Sequence, residues 1–333
     1  MKFYVVCDYR ENLINYSKQS NDIYNDHPSK KNINEIIESI ISLGYQCEYF
    51  GGIPELIHAI DCKKVFKDSL FLNFTDGMEQ KYSRVQAPAL LDILKVPYSG
   101  SDVFASALMN NKHFSKQALL GHDISMPKSC IVNTLIPLCT EELRNWNYPL
   151  FVKPNCEGSS LGISKDNVCH TLEAVIHKVN ELISSFDELL IEEYIHGIDI
   201  TNYLIGNSGA YYINDIVVAE LKDHSPYAVY GSEEKHNKLR TLYYNEEKLS
   251  HETVQNIQKQ SLKIANLIGA RDICRIDYRL NMTTQKLFFI EINSAPRFSS
   301  TSEAGFIASK KNIVFAEMIK YYLQTVTNRV YHH

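Results

Sequence analysis

The sequence lacks the paired cysteines of a metal or redox motif. Its eight cysteines, at 7, 47, 62, 130, 139, 156, 169 and 274, form no C-x-x-C pair. Neither a zinc site nor a redox centre is expected, and reduced, structural thiols are the reading. No apolar run approaches the ~18 residues of a membrane-spanning helix. The opening residues MKFYVVCD hold too short an apolar stretch for a secretory signal. A cytoplasmic protein with no membrane partner is therefore expected. There is no excess of positive charge either, since 34 Lys and Arg against 39 Asp and Glu leave −5. Charge-driven nucleic-acid binding needs a basic footprint, so nucleic acid is excluded as a partner, while a local basic pocket for phosphate is not. Repeats and low-complexity segments are absent as well. What remains is the composition of a globular protein, 44% hydrophobic and 22% charged over 333 residues. That length suggests about two folding units of ~100–200 residues.

Residues 3–7 read as a buried strand, and 46–50 and 69–74 as two more. A polar stretch through Lys31 reads as loop. Ile33, Ile36, Ile37, Ile40 and Ile41 recur at helical spacing until Gly44 stops them. Helical patterns follow at 53–60 and 85–94. Strands alternating with helices argue for an open α/β sheet over residues 1 to about 100. Asp102 is the expected N-cap of a helix running to about Leu120 and ended by Gly121. Strands and one helix, 172–183, fill 125–190. Strands then dominate, apart from helices at 249–268 and 314–326. The pattern gives three subdomains, one α/β and two α+β.

Chemistry concentrates in three stretches. Arg275, Asp277 and Arg279 alternate with Cys274, Ile276, Tyr278 and Leu280, so the charged set shares one strand face. The next strand, LFFIEIN, puts Glu291 and Asn293 on one face. A hairpin would bring Asp277, Glu291 and Asn293 together, and such hard oxygen ligands suit Mg²⁺. A salt-bridged, solvent-facing hairpin is the plainer alternative. The segment FVKPNCEGSSLGI places Lys153 in a strand before a Gly/Ser loop able to close over phosphates. No G-K-[ST] follows, so it is not a Walker A loop, and alone it reads equally as a turn. The segment LIEEYIHGIDIT carries Glu192 and Glu193 through His196-Gly197 to Asp199. By itself it is a strand–turn–strand with an acidic edge.

In this order, VKPNCEGSSLGISK, IEEYIHGIDIT and RIDYRLN…LFFIEINSAP resemble the ATP-grasp superfamily, and within it the D-alanine–D-alanine ligase branch. The resemblance covers about residues 70–313. Upstream, LNFTDGMEQKYSRVQAPALLDILKVPYSGSD and ALMNNKHFSK look like that branch's linker and first nucleotide-binding lysine. It implies an ATP-grasp fold, α/β and α+β. An N-terminal open α/β (pre-ATP-grasp) subdomain would span 1–104. A small central subdomain, 105–190, and a large C-terminal one, 191–333, would grip ATP between antiparallel sheets.

The same resemblance assigns roles. Lys112 and Lys153 would contact the ATP phosphates, with Lys153 also near the adenine. Ser159 and Ser160 would belong to the closing loop. Glu192 and the backbone of Glu193 and Ile195 would read the adenine edge, with Tyr194 in that hinge and Asp199 at the ribose. Lys235 matches a mobile-loop lysine that meets the γ-phosphate. Asp277, Glu291 and Asn293 would hold two Mg²⁺, which Mn²⁺ can replace. Arg275 would stabilise the acyl phosphate, so Arg275, Lys235 and Ser159 form the implied catalytic set. The implied reaction is ADP-forming: a carboxylate is activated as an acyl phosphate, and an amine then takes the acyl group. The partners implied are small-molecule amino acids or other amine and carboxylate substrates. A homodimer through the N-terminal region is an option that no residue pattern specifies.

Four positions depart from the branch, all at its substrate end. No Ser-x-Glu element follows the first strand, where only Glu11 is available. His236 stands where Tyr is common. Arg297 follows Pro296 in place of a Gly and would be strained in a Gly-only conformation. Ser302-Glu303 stands where Ser and an apolar residue grip a carboxylate, which a Glu would repel. The substrate set is thus His236, Arg297, Ser302 and Glu303, with Arg297 clamping a carboxylate and Glu303 favouring a cationic partner, or both facing solvent at the rim. The expectation is a ligase whose substrates are not two D-alanines. The alternatives are a genuine D-alanine–D-alanine ligase, acyl transfer to a carrier protein, and a non-catalytic nucleotide-binding protein.

Overall fold

Three sheets follow one another along the chain. The computed structural model describes residues 1–16, 27–78, 81–158, 160–207, 209–222 and 239–331, with 227, 229, 231 and 237 individually. The first sheet holds β1 (Lys2–Val6), β2 (Gln46–Gly51) and β3 (Ser69–Asn73), all parallel in the order β2-β1-β3. Parallel strands need cover on both faces, and these have it. Phe3 and Val5 pack on Ile33, Ile36 and Ile40 of the helix Lys30–Ser42. Val6 and Phe71 pack on Leu56 and Leu91 of the helices Ile53–Asp61 and Gln86–Leu94. This is the open α/β unit expected. The stretch through Lys31 is not all the loop expected, because a helix spans Arg10–Tyr16 and buries Leu13.

The second sheet holds β4 (Ser129–Asn133), β5 (Leu150–Pro154), β6 (Val168–Cys169) and β7 (Glu188–Glu193). It is antiparallel in the order β4-β7-β5-β6. Leu150, Val152, Leu189 and Ile191 alternate onto the helix Leu172–Leu182. The period-two rule sends Phe151, Lys153, Glu188 and Glu192 to the opposite face.

The third sheet holds β8 (Ile198–Asn207), β9 (Ala210–Leu221), β10 (Arg240–Tyr244), β11 (Ile273–Leu280) and β12 (Leu287–Asn293). It is antiparallel in the order β10-β9-β8-β11-β12. Cys274, Ile276, Tyr278 and Leu280 join the core under the helix His251–Ile268, which Ser250 caps and Gly269 closes. Arg275, Asp277 and Arg279 take the other face. The final helix, Phe315–Tyr331, packs its Met318, Ile319 and Tyr322 between this sheet and the first.

The single helix expected over 102–120 is two, Val103–Asn110 and Lys112–Ala118. Asn111 breaks it with extended backbone and caps the second piece, its Oδ1 accepting from the Phe114 N–H at 2.8 Å. The break places Lys112 in a first helical turn. A helix Glu303–Lys310 also forms where the sequence pattern predicts none. Gly305 obscures its pattern but is required there, because a Cβ would sit 2.0 Å from the Ser300 carbonyl oxygen. No helix among the described residues is long and apolar enough to cross a membrane.

Candidate active site

A cleft of ≈ 360 Å³ opens between the second and third sheets. Its floor on the large-sheet side is the hairpin β11–β12. Asp277 faces Glu291 directly across the ladder and Arg275 faces Asn293. Asn293 Nδ2 donates to Asp277 Oδ2 at 3.1 Å and lies 3.5 Å from Glu291 Oε1. Thr201 donates to Asp277 Oδ1 at 2.8 Å. Arg275 donates to Asp277 through Nε at 3.0 Å and Nη2 at 2.8 Å. Lys112 Nζ stands 3.1 Å from Glu291 Oε2. Burial and the nearby Glu291 push the Asp277 carboxyl up against the pull of Arg275. Burial also works to raise Glu291, but Lys112, Lys153 and Arg275 overcome it and hold Glu291 down to about 2.

This donor set fits Mg²⁺. It offers hard oxygens and no soft ligand, and two facing carboxylates repel each other unless cations lie between or beside them. Among the described residues no group of three or more His, Cys, Asp or Glu is placed to hold a metal. Two carboxylates and an amide are nonetheless enough for an ion that keeps waters and shares phosphate oxygens.

On the opposite wall, Lys153 and Glu192 lie diagonally on the cleft face of β5 and β7. Glu192 is 4% exposed and bridges two ammonium groups, Lys153 on Oε1 and Lys116 on Oε2. Burial raises its carboxyl, yet Lys116 and Lys153 hold it down to about 2. Glu193 also lines the cleft, and its Oε1 accepts from the Asn147 N–H at 3.0 Å. Tyr194 and Ile195 line the cleft beside Asp199. Arg279 staples this hinge. It pairs with Asp199 at 2.8 Å and donates to the carbonyls of Ile195 at 3.1 Å and Gly197 at 3.0 Å, and to the Tyr194 hydroxyl at 3.1 Å. Gly197 is obligatory here, with φ +150° and a Cβ position 2.0 Å from the Leu280 carbonyl oxygen. Ser160 lines the cleft with φ +61°. Ser159, Lys235 and His236 lie outside the described residues.

The substrate end differs from expectation. Glu303 is buried and pairs with Arg240 of β10, with Arg275 close enough to act on it. Burial would raise its carboxyl, but Arg275 and Arg240 hold it to about 2. Its charge is therefore shared inside the protein and is neither rim-exposed nor an unopposed repeller. Ser302 Oγ donates to the Ser299 carbonyl at 2.8 Å, which stabilises its own turn. Arg297 is exposed at the cleft edge and has no positive φ, so the expected strain is absent. Glu11 accepts from the Lys30 N–H at 3.1 Å, at the start of a helix, and does not line the cleft.

A family model described as the D-ala D-ala ligase C-terminus matches residues 128–324, more than half of the chain. The chain belongs to the D-alanine–D-alanine ligase family. A D-alanine–D-alanine ligase from Aquifex aeolicus is 31% identical over 69% of this chain and 74% of that protein. Among solved structures, the fold matches a D-alanine–D-alanine ligase from Bacillus anthracis complexed with ATP, with TM-score 0.75 and 19% identity. That match covers 99% of this chain and 98% of the other. It also matches the VanG D-Ala:D-Ser ligase from Enterococcus faecalis, with TM-score 0.73 and 17% identity over 98% of this chain and 99% of that one. The fold is thus ATP-grasp and the protein an ADP-forming ligase, which sets aside the non-catalytic reading. The family uses ATP and a divalent metal.

Several groups in or behind the cleft of this ligase escape sequence reasoning. Lys116 is one helical turn beyond Lys112, and that spacing is its only local signal. Arg279 is visible in the β11 alternation but without its hinge role. Arg240 carries no signal at all. Neither does the Arg84–Asp76 pair, 2.9 Å apart, which lines the cleft from the N-terminal side.

Proposed function

We propose that this ligase phosphorylates the carboxylate of one amino acid and transfers the acyl group to the amine of a second, making a peptide or amide bond. The observation that carries the reading is the meeting of Asp277, Glu291 and Asn293 with Lys112 and Arg275 on one cleft wall. In this reading the three subdomains are 1–104, 105–190 and 191–333, and ATP lies between the last two. Its adenine would rest against residues 192–195, its ribose at Asp199 and its phosphates at Lys112 and Lys153. Asp277, Glu291 and Asn293 would hold two Mg²⁺, which when bound supply positive charge to phosphate oxygens. The donor carboxylate oxygen attacks the γ-phosphorus and ADP leaves. The acceptor amine then attacks the acyl carbon, inorganic phosphate leaves, and the nitrogen gives up a proton. Arg275, a fixed guanidinium beside Asp277 and Glu303, stands where charge grows on the acyl group. The walls from both sheets keep water from the acyl phosphate.

The names of the relatives make D-alanine the first substrate to try. A second reading, an acceptor other than D-alanine, is supported by the Arg240–Glu303 pair at the substrate end. The VanG protein, named for D-serine, carries a changed acceptor on a similar fold. ADP release with D-alanine alone, then with D-alanine plus a panel of amino acids, amines and carrier-protein thiols, tests both. Turnover with D-alanine alone at the rate of the best pair supports a genuine D-alanine–D-alanine ligase. Turnover only with a second compound supports the changed acceptor. No ADP release with any carboxylate refutes the reaction.

A further inference from the structure

One buried cation of the cleft wall has no part in the reaction described. Lys116 is 2% exposed, and its Nζ meets Glu192 Oε2 while Lys153 Nζ meets Oε1. Lys153 and Glu192 line the cleft, whereas Lys116 does not and stands behind Glu192. The three charges sum to +1. Without Lys116 they would sum to zero, leaving Lys153 and Glu192 as a closed ion pair in a dry setting where such attractions are strong. Any anion in the cleft would then have to draw Lys153 away from its sole partner in the triad.

We infer that Lys116 is a positioning residue that serves as the standing counterion of Glu192 and so frees Lys153 to turn to the phosphates of a nucleotide. This rests on the proposed role of Lys153 as a phosphate contact. The consequence is selective. Lys116 sets affinity for the phosphorylated nucleotide and leaves the nucleoside untouched. A purely structural Lys116, pinning the helix Lys112–Ala118 to β7, would instead move Glu192 and the hinge beside it, and so weaken nucleoside and nucleotide together. Burial pulls the Lys116 ammonium down to about 8 although Glu192 opposes it, as expected where two ammonium groups share one carboxylate.

The test is calorimetric binding of Mg·ADP and of adenosine to the full chain, for the parent and for Lys116→Met, Lys153→Met, Glu192→Gln and the double variant Lys116→Met/Glu192→Gln. Lys116→Met should weaken Mg·ADP roughly 10- to 100-fold, the range of one charge-assisted contact, and adenosine by less than about twofold. The KM for ATP should rise similarly, with kcat at saturating ATP within about threefold. The double variant should bind Mg·ADP within about threefold of Glu192→Gln, because with no carboxylate to hold Lys116 has no task. Parallel loss of adenosine and Mg·ADP overturns the inference, as does a further loss of about tenfold in the double variant. If Lys116→Met does not fold, the comparison between Glu192→Gln and the double variant decides alone. If Lys153→Met leaves Mg·ADP binding unchanged, the reading of Lys153 is what fails. Weakening by Lys153→Met with none by Lys116→Met overturns this inference only.

Discussion

Replacing Glu303 with Gln should change both stability and the charge preference for the acceptor. Glu303 opens the helix Glu303–Lys310, and its carboxylate lies on Arg240 with Arg275 nearby. Its carboxyl is held at about 2 against an ordinary 4.5, a gap worth about 3 kcal/mol of folding stability above both values. The Arg240 side chain is 29% exposed, so solvent screening reduces this to about 2 kcal/mol. A neutral Gln should therefore lower the thermal midpoint by a few degrees. It should also leave Arg240 and Arg275 without that counter-charge. An acceptor carboxylate could then take its place for about 1.5–3 kcal/mol, roughly 10- to 100-fold in kcat/KM. The assay is ADP release with D-alanine as donor and either D-alanine or D-alaninamide as acceptor. The amide cannot serve as donor but D-alanine can still accept, so D-alanyl-D-alanine and D-alanyl-D-alaninamide are quantified separately beside the ADP. The free-acid to amide ratio should rise about tenfold or more in the Gln variant. An unchanged ratio in a folded Gln variant would refute the reasoning and leave Glu303 a structural partner of Arg240.

Three further outcomes are expected. Glu192, Glu291 and Glu303 are each held near about 2. Their depressed values stabilise the fold fully above about 4.5, and this is lost as pH falls toward about 2. A thermal midpoint flat across that window would contradict the pairing. Gly197→Ala should destabilise by about 2 kcal/mol or more, since it combines φ +150° with a clash at the Leu280 carbonyl. Thermal melts and the KM for ATP would report it, and a neutral effect would show that the hinge adopts another conformation. Asp277→Asn should cut kcat by about 10²–10³ and raise the Mg²⁺ concentration needed for half activity. Titrating Mg²⁺ at fixed ATP checks this, and parent-like demand for Mg²⁺ would remove Asp277 from the metal set.

Elements whose code is local are legible in the chain. The β11 alternation places Arg275, Asp277 and Arg279 on one face, and the short turn before LFFIEIN makes the hairpin the economical pairing. The structure has that hairpin, with Asp277 opposite Glu291. The isoleucine ladder of the helix Lys30–Ser42 is legible for the same reason. The break at Asn111 is not, because apolar and small residues continue on both sides at helical spacing. What ends the first helix is an Asn whose side chain reaches the Phe114 N–H, the Glu188 carboxylate and the Tyr82 hydroxyl. Two of those three partners are tertiary neighbours. The helix Glu303–Lys310 escapes similarly, because Gly305 reads as a breaker until the Ser300 carbonyl beside it is seen.

The same division runs through the site. Arg275 and Asp277 are two residues apart on one strand, so their pairing follows from the pleat alone. Lys116 and Glu192 are 76 apart, and Arg240 and Glu303 are 63 apart. No local period encodes either distance. This matters because the sign of a local field depends on the partner as much as on the residue. Read alone, Glu303 is a negative charge that repels a carboxylate or attracts an amine. Paired with Arg240 and near Arg275, which Asp277 also holds, it belongs to a cluster of two cations and two anions, and its effect on a substrate turns on whether that substrate can displace it. Lys153 follows the same logic from the other side. Its value to a phosphate depends on how firmly Glu192 holds it, and that in turn depends on Lys116, which does not line the cleft. Residue types at motif positions therefore define the reaction class, while the counterions behind them set which ligands the cleft accepts and how tightly.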